Sequence, residues 1–262
     1  MKPYYENDNG VLYHGDCLET MPELPDKSID MVLCDLPYGT TACKWDVIIP
    51  FEPLWAQYKR LIKDNGAIVL TASQPFTSAL VMSNPKMFKY EWIWEKLQGA
   101  NFVHAKNMPL KKHENIVIFS KAPMGHLSLL GCDRMAYNPQ GLLPHGRKRH
   151  VDKKDGTFLG SRKNQDGKKY TQECKNYPNT VIKFDRDRRL HPTQKPVALM
   201  EYLIKTYTNE GETVLDNCLG SGTTAVACEN LGRKWIGIEK EEKYCKVAAD
   251  RIEAEMKQLK LF

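Results

Sequence analysis

The sequence has no CxxC pair, no Cys/His cluster at metal-ligand spacing, no HExxH and no EF-hand loop. A metal-dependent mechanism therefore has no support in it, and the expectation is that no metal is bound. Its eight cysteines, Cys17, Cys34, Cys43, Cys132, Cys174, Cys218, Cys228 and Cys245, are scattered. That spacing reads as reduced thiols and not as a disulfide framework. An apolar run of the roughly 18 residues that a membrane span needs is missing, and the opening MKPYYENDNG has no signal-peptide core. These absences predict a soluble, cytoplasmic protein with no membrane partner. Internal repeats, low-complexity tracts and the Gly-Lys-Ser/Thr of a phosphate loop are lacking too.

What is present begins with 262 residues, 42% of them hydrophobic, enough to bury a full core in one domain carrying an insertion. The net charge of +6 is unevenly placed, because residues 145–190 hold fourteen Lys/Arg against six Asp/Glu and leave the remainder slightly acidic. Such a run is either a solvated loop or a surface for a polyanion.

Along the chain, apolar runs at residues 11–14, 28–34, 67–71, 90–94 and 115–119 predict strands, and residues 51–63 and 75–82 predict helices. Periodicity disappears between about 122 and 190, where Gly, Pro, Asn, Lys and Arg dominate. It returns as helix 196–207, strand 213–215, helix 223–231, strand 234–238 and helix 241–257. Alternating strands and helices imply an α/β fold with a doubly wound, mostly parallel sheet.

Two motifs sit where such sheets place their chemistry. Gly220-Ser-Gly222-Thr-Thr-Ala225 joins a strand to a helix, and Glu239 follows nineteen residues after Gly220 at the end of the next strand. Glycines allow close backbone approach to a ligand, and the acid can accept hydrogen bonds from ribose hydroxyls. Asp216, just before the glycines, would repel a pyrophosphate but pair with the ammonium of an amino acid, which favours S-adenosylmethionine over NAD. The segment His191-Pro-Thr-Gln-Lys-Pro196 opens a helix, where Thr193 and Lys195 can hold a carboxylate or merely cap the helix.

Asp35-Leu36-Pro37-Tyr38 ends a buried strand. An exocyclic amine of a nucleobase is a poor nucleophile, because its lone pair is delocalised into the ring. A carboxylate (Asp35) and a main-chain carbonyl (Leu36) can accept its two N–H bonds, and an aromatic ring (Tyr38) can stack on the extruded base.

With these residues in view, the chain resembles the DNA amino-methyltransferase family acting on adenine N6 or cytosine N4, in its β-type permuted arrangement. Asp35-Leu-Pro-Tyr38 is similar to the family's D-P-P-Y, with Leu36 departing from the usual proline. Residues 214–224 look like its glycine-rich cofactor motif, and residues 191–196 like the start of its cofactor-side helix. Gly15-Asp16-Cys17 resembles the acidic turn that contacts the cofactor adenine.

The resemblance implies a Rossmann-like methyltransferase fold in three parts. These are a catalytic half at 1–121, a basic target-recognition insertion at 122–190 and a cofactor-binding half at 191–262. Asp16, Cys17, Thr193, Lys195, Asp216, Gly220, Gly222 and Glu239 would hold S-adenosylmethionine. Lys44, Trp45, Arg147, Lys148, Arg149, Arg186, Arg188 and Arg189 would meet duplex DNA. Asp at the first motif position implies adenine, and the arrangement is compatible with a homodimer and a cognate restriction endonuclease. The competing readings are a cytosine-N4 enzyme, a methyltransferase for structured RNA and a non-catalytic nucleic-acid-binding protein. A protein-glutamine methyltransferase fits less well, since that group resembles N-P-P-Y.

Overall fold

The computed structural model describes residues 1–41, 43, 46–124, 134–150, 169–185 and 194–259. Lys44, Trp45, Thr193, Arg186, Arg188 and Arg189 lie outside them, and Arg149 is described by its backbone alone. The elements in chain order are β1 (Tyr5–Glu6), β2 (Gly10–His14), α1 (Cys17–Thr20), β3 (Ile29–Asp35), α2 (Phe51–Leu61) and β4 (Ile62–Ala72). Then come α3 (Phe76–Ser83), β5 (Phe88–Ala100), β6 (Lys111–Phe119), β7 (Leu143–His150), β8 (Lys169–Lys175) and β9 (Val181–Lys183). The chain closes with α4 (Val197–Tyr207), β10 (Thr213–Asp216), α5 (Thr223–Leu231), β11 (Lys234–Glu239) and α6 (Glu242–Leu259).

Nine strands form one sheet in the order β1-β2-β11-β10-β3-β4-β6-β5-β9. The run from β2 to β4 is parallel, so β2, β11, β10, β3 and β4 all end on the same edge. β6 lies antiparallel between β4 and β5.

Both faces of this sheet are buried, and β3 shows why its run from Met31 to Cys34 is apolar. Met31 and Leu33 enter one core with Leu199, Leu203 and Tyr207 of α4. Val32 and Cys34 enter the other with Leu54, Tyr58 and Leu61 of α2. Alternate side chains of a strand point to opposite faces, so a strand covered on both sides cannot alternate with polar residues. Each fully buried aliphatic side chain stabilises this arrangement by about 1.5–3 kcal/mol.

Residues Pro139–Asn179, containing β7 and β8, form a separate compact unit. This is narrower than the expected 122–190. On one side of it, Ala136 N donates to Asn65 O (2.9 Å), Asn138 N donates to Thr206 O (2.7 Å), and Met135 is buried with the main core. On the other, β9 pairs with β5 in parallel. β7 and β8 pair antiparallel, a strand pair the sequence did not announce. β4 begins at Ile62 and not at residue 67, and β5 runs to Ala100. No helix among the described residues is long and apolar enough to cross a membrane.

Candidate active site

The common strand edge gathers four carboxylates from distant parts of the chain. β2 leads into Asp16, β11 ends at Glu239, β10 at Asp216 and β3 at Asp35, whose register partner on β4 is Thr71. Asp16 caps α1, its Oδ1 accepting from Leu18 N (2.9 Å), while Lys240 Nζ stands 3.0 Å from Oδ2. Burial pushes the Asp16 carboxyl up, but the Leu18 amide and the Lys240 ammonium outweigh it and leave the pKa lowered.

A cavity of about 460 Å³ opens between these strand ends, lined by Asp16, Asp35, Asp216, Gly220, Glu239 and Gln194 among others. That volume lies within the roughly 300–1,000 Å³ of small-molecule sites. Its floor is the turn from β10 to α5. Gly220 N donates to Glu239 Oε2 (2.7 Å), and Leu219 N donates to Ile238 O (2.9 Å), which ties the turn to the neighbouring strand. Gly222 has φ +82°, and a Cβ there would stand 3.1 Å from the Cβ of Ala248 on α6. The positive φ strains any other residue, and the close approach of Ala248 leaves little room for a side chain.

Asp216 is buried, its Oδ2 accepting from Thr224 Oγ1 (2.6 Å) and its Oδ1 from Cys218 N (3.1 Å). Burial raises its pKa to about 6, more than these two donors offset. Glu239 is raised for the same reason. Two buried acids that face no cation among the described residues suit a ligand that brings an ammonium and hydroxyl groups. Cys17 lines the same cavity, its thiol raised by the hydrogen bond it donates to Cys218 and by burial, which disfavours the reactive thiolate.

Asp35 is the most heavily engaged acid. Its Oδ1 accepts from Tyr38 OH (2.6 Å) and from Thr71 Oγ1, and Lys195 Nζ stands 2.6 Å from Oδ2. Lys195 also lies 3.3 Å from Glu114 Oε2, and Glu114 Oε1 pairs with Lys96. Burial disfavours charge on Lys195 and Glu114 alike. The facing charges outweigh it, raising the lysine and lowering the glutamate. The Tyr38 ring is stacked on Phe76 (5.2 Å between centroids), and its hydroxyl is pushed well up by burial and by the Asp35 charge.

Of the expected residues, Asp35, Pro37, Asp16, Cys17, Asp216, Gly220 and Glu239 come together around one cavity. Leu36 is buried beside it among the residues under β3. Lys195 lines the cavity as well, and its ammonium is held by Asp35 and Glu114, because a buried cation takes the strongest acceptors in reach. Arg147 and Lys148 lie on β7, in the separate unit.

The sequence reading missed Thr71, Glu114, Gln194 and Asp46. The first two depend on strand register, which an apolar run does not disclose. Both amide atoms of the Gln194 side chain are buried with no hydrogen-bond partner among the described residues, while the residue lines the cavity. Asp46 accepts from the amides of Gly39 (2.8 Å), Thr40 (2.9 Å) and Thr41 (2.7 Å), and so closes the loop that follows Asp35–Tyr38. Asp before a hydrophobic run, seven residues after Gly39, was a readable signal for this.

A sequence model described as DNA methylase matches residues 29–250. The type II methyltransferase M2.LlaDCHI of Lactococcus lactis subsp. cremoris is 28% identical over 276 residues, covering 96% of this chain and 92% of its own. The DNA adenine methyltransferase YhdJ of Escherichia coli (strain K12) is 28% identical over 270 residues, covering 95% and 84%. The solved structure of the cytosine-N4-specific PvuII DNA methyltransferase superposes with a TM-score of 0.64 at 16% identity, over 97% of this chain and 93% of that one.

Proposed function

Since the chain belongs to the DNA methylase family that acts on adenine N6 and cytosine N4, we propose that it methylates adenine N6 at a specific sequence of duplex DNA. Its methyl donor is S-adenosylmethionine. One observation supports this reading above the others: the Asp35 carboxylate faces the same cavity as Asp216 and Glu239. An acceptor for a base amine and the acids suited to the donor therefore share one space.

The cavity fits the donor on its own chemistry. Asp216 would take the ammonium and Glu239 the ribose hydroxyls, with Asp16 and Cys17 near the adenine. Gln194 Nε2, buried with no acceptor among the described residues, would donate to the donor's carboxylate, for which Thr193 is the expected neighbour. When bound, S-adenosylmethionine supplies an electrophilic methyl group on a sulfonium centre.

The protein's own part is to make the amine nucleophilic. Asp35 Oδ2 and the Leu36 carbonyl accept the two N–H bonds of a base turned out of the helix, which localises the nitrogen lone pair. Tyr38 and Thr71 fix Oδ1, so the carboxylate is oriented before the base arrives. As the nitrogen gains a methyl group it becomes cationic, and its excess proton passes first to Asp35 Oδ2. Val47 and Ile48, exposed apolar side chains lining the cavity, would cover the donor. Arg147, Lys148 and Arg149, with Arg186, Arg188, Arg189, Lys44 and Trp45, are proposed to meet the DNA. A second copy of the chain and a restriction endonuclease of the same site are further partners that the family resemblance suggests.

The test is transfer itself. DNA modified by the protein and digested to nucleosides should contain N6-methyladenine; N4-methylcytosine instead would favour the cytosine reading, which the same acceptors serve. Asp35→Ala should lower single-turnover transfer by about a hundred- to a thousandfold while cofactor binding persists. Near-normal transfer by the folded variant would refute the role of Asp35.

A further inference from the structure

We propose that Lys195 is a positioning residue that occupies Asp35 in the resting enzyme and moves its hydrogen bond to Glu114 when the target amine arrives. The inference rests on the proposed methyl transfer and concerns how its acceptor is made ready.

The starting point is that Asp35 is fully engaged. Tyr38 OH and Thr71 Oγ1 hold Oδ1, and the Lys195 ammonium, 2.6 Å away, holds Oδ2. A base amine entering to donate an N–H bond meets a cation already hydrogen-bonded to that oxygen. The conflict grows during reaction, since the amine nitrogen turns cationic as the methyl group transfers, and like charges sharing one acceptor repel. For Asp35 to stabilise that charge, the ammonium has to withdraw.

A destination for it stands within reach. Glu114 Oε2 is buried and faces Lys195 Nζ in an ion pair of 3.3 Å that lacks the geometry of a well-directed hydrogen bond. Its other oxygen is engaged by Lys96, which itself lies 4.9 Å over the Trp94 ring. Glu114 is thus fixed on one side and only loosely paired on the other, toward Lys195. A buried acceptor left open is costly unless something completes it. A small swing of the ammonium completes it at the moment Asp35 is released. The lysine stays ionised and paired throughout, as a buried cation requires. In the resting state the same ammonium compensates Asp35, which would otherwise be an ionised acid waiting in a half-buried site.

The experiment is a double-mutant cycle read by single-turnover methyl transfer, on a short duplex that the parent methylates, with cofactor affinity measured alongside. Glu114→Gln should slow transfer by about ten- to a hundredfold at unchanged cofactor affinity, because Lys195 then stays on Asp35. In a Lys195→Met background the same substitution should change the rate less than about twofold, since there is no ammonium to draw away. Equal losses in both backgrounds, or no loss in either, would overturn the proposal and leave Glu114 a structural residue. If Glu114→Gln does not fold, the parent protein decides. The ¹⁵N resonance of the Lys195 ammonium should shift when the target duplex is added and stay put with a duplex lacking the target base; an unmoved resonance in both refutes the switch. A parent that transfers methyl to no DNA would overturn the function and this inference together, whereas an active parent with additive variants overturns the inference alone.

Discussion

Asp216 carries the most informative ionisation in the molecule. Its folded pKa of about 6 lies above the ordinary 3.8 because the side chain is buried. Holding it ionised at neutral pH costs the free protein roughly 3 kcal/mol, and that cost fades as pH falls from about 6 toward 4. A ligand ammonium favours the ionised form, so the linkage runs the other way for binding. Affinity for S-adenosylmethionine should rise as pH increases through about 6 and level off until the ligand's own amine loses its proton near 8. Calorimetric titrations across that range test this, and Asp216→Asn should flatten the profile. A parent profile already flat would mean that Asp216 does not meet the ammonium. The candidate role of Asp216 was legible in the sequence, because an acid directly before a glycine turn has few other uses there. That of Lys195 was not. A lysine at the start of a helix reads as an anion binder, and only the fold reveals that two carboxylates from other strands lie closer.

Elements were legible where one face or both faces had to be buried. α5 begins and ends at the expected residues because a glycine stands at each boundary, both with positive φ. β7 and β8 were invisible for the opposite reason. In the sequence LPHGRKRH of β7, none of residues 143–148 is buried to impose an alternation, and its pairing is carried by main-chain groups that every residue possesses. The early start of β4 escaped notice likewise, since Asn65-Gly66 reads as a break although Ile62 pairs with Ile29 before it. The β10–α5 turn offers a test at this scale. Gly222→Ala places a side chain at φ +82° and against Ala248. It should destabilise the protein by about 1–3 kcal/mol and weaken cofactor binding. Thermal unfolding with and without cofactor measures both, and a variant of parental melting temperature would show that the turn relaxes without loss.

At the scale of the whole molecule, charge and structure divide the chain along similar lines. The basic run at 145–190 was plain from composition, and much of it falls in the unit Pro139–Asn179. The limits of that unit were not plain, because the residues on either side of it are as irregular in sequence as those within. If the unit neutralises DNA phosphates, affinity for duplex DNA should fall steeply with salt. Replacing Arg147 and Lys148 by Ala should then reduce the log–log slope by about 1–2, as each phosphate contact contributes about 0.9. Fluorescence anisotropy at several salt concentrations gives the slope directly. An unchanged slope would place these two residues off the DNA.

The two junctions of that unit are secured independently of it. Asn138 N donates to Thr206 O, and Ile93 N donates to Thr180 O, so the chain leaves and re-enters the main unit at fixed points. If residues 139–179 read the target sequence, they are a cassette in the evolutionary sense. A lineage could then trade them for another sequence and inherit the proposed methyl-transfer centre intact, and specificity could diverge faster than chemistry. A chimera carrying the equivalent segment of a relative should modify that relative's DNA site, as read by single-molecule sequencing. A folded, active chimera that keeps the parental site would locate sequence reading elsewhere, and this lineage would then have had to change its targets within the catalytic unit itself.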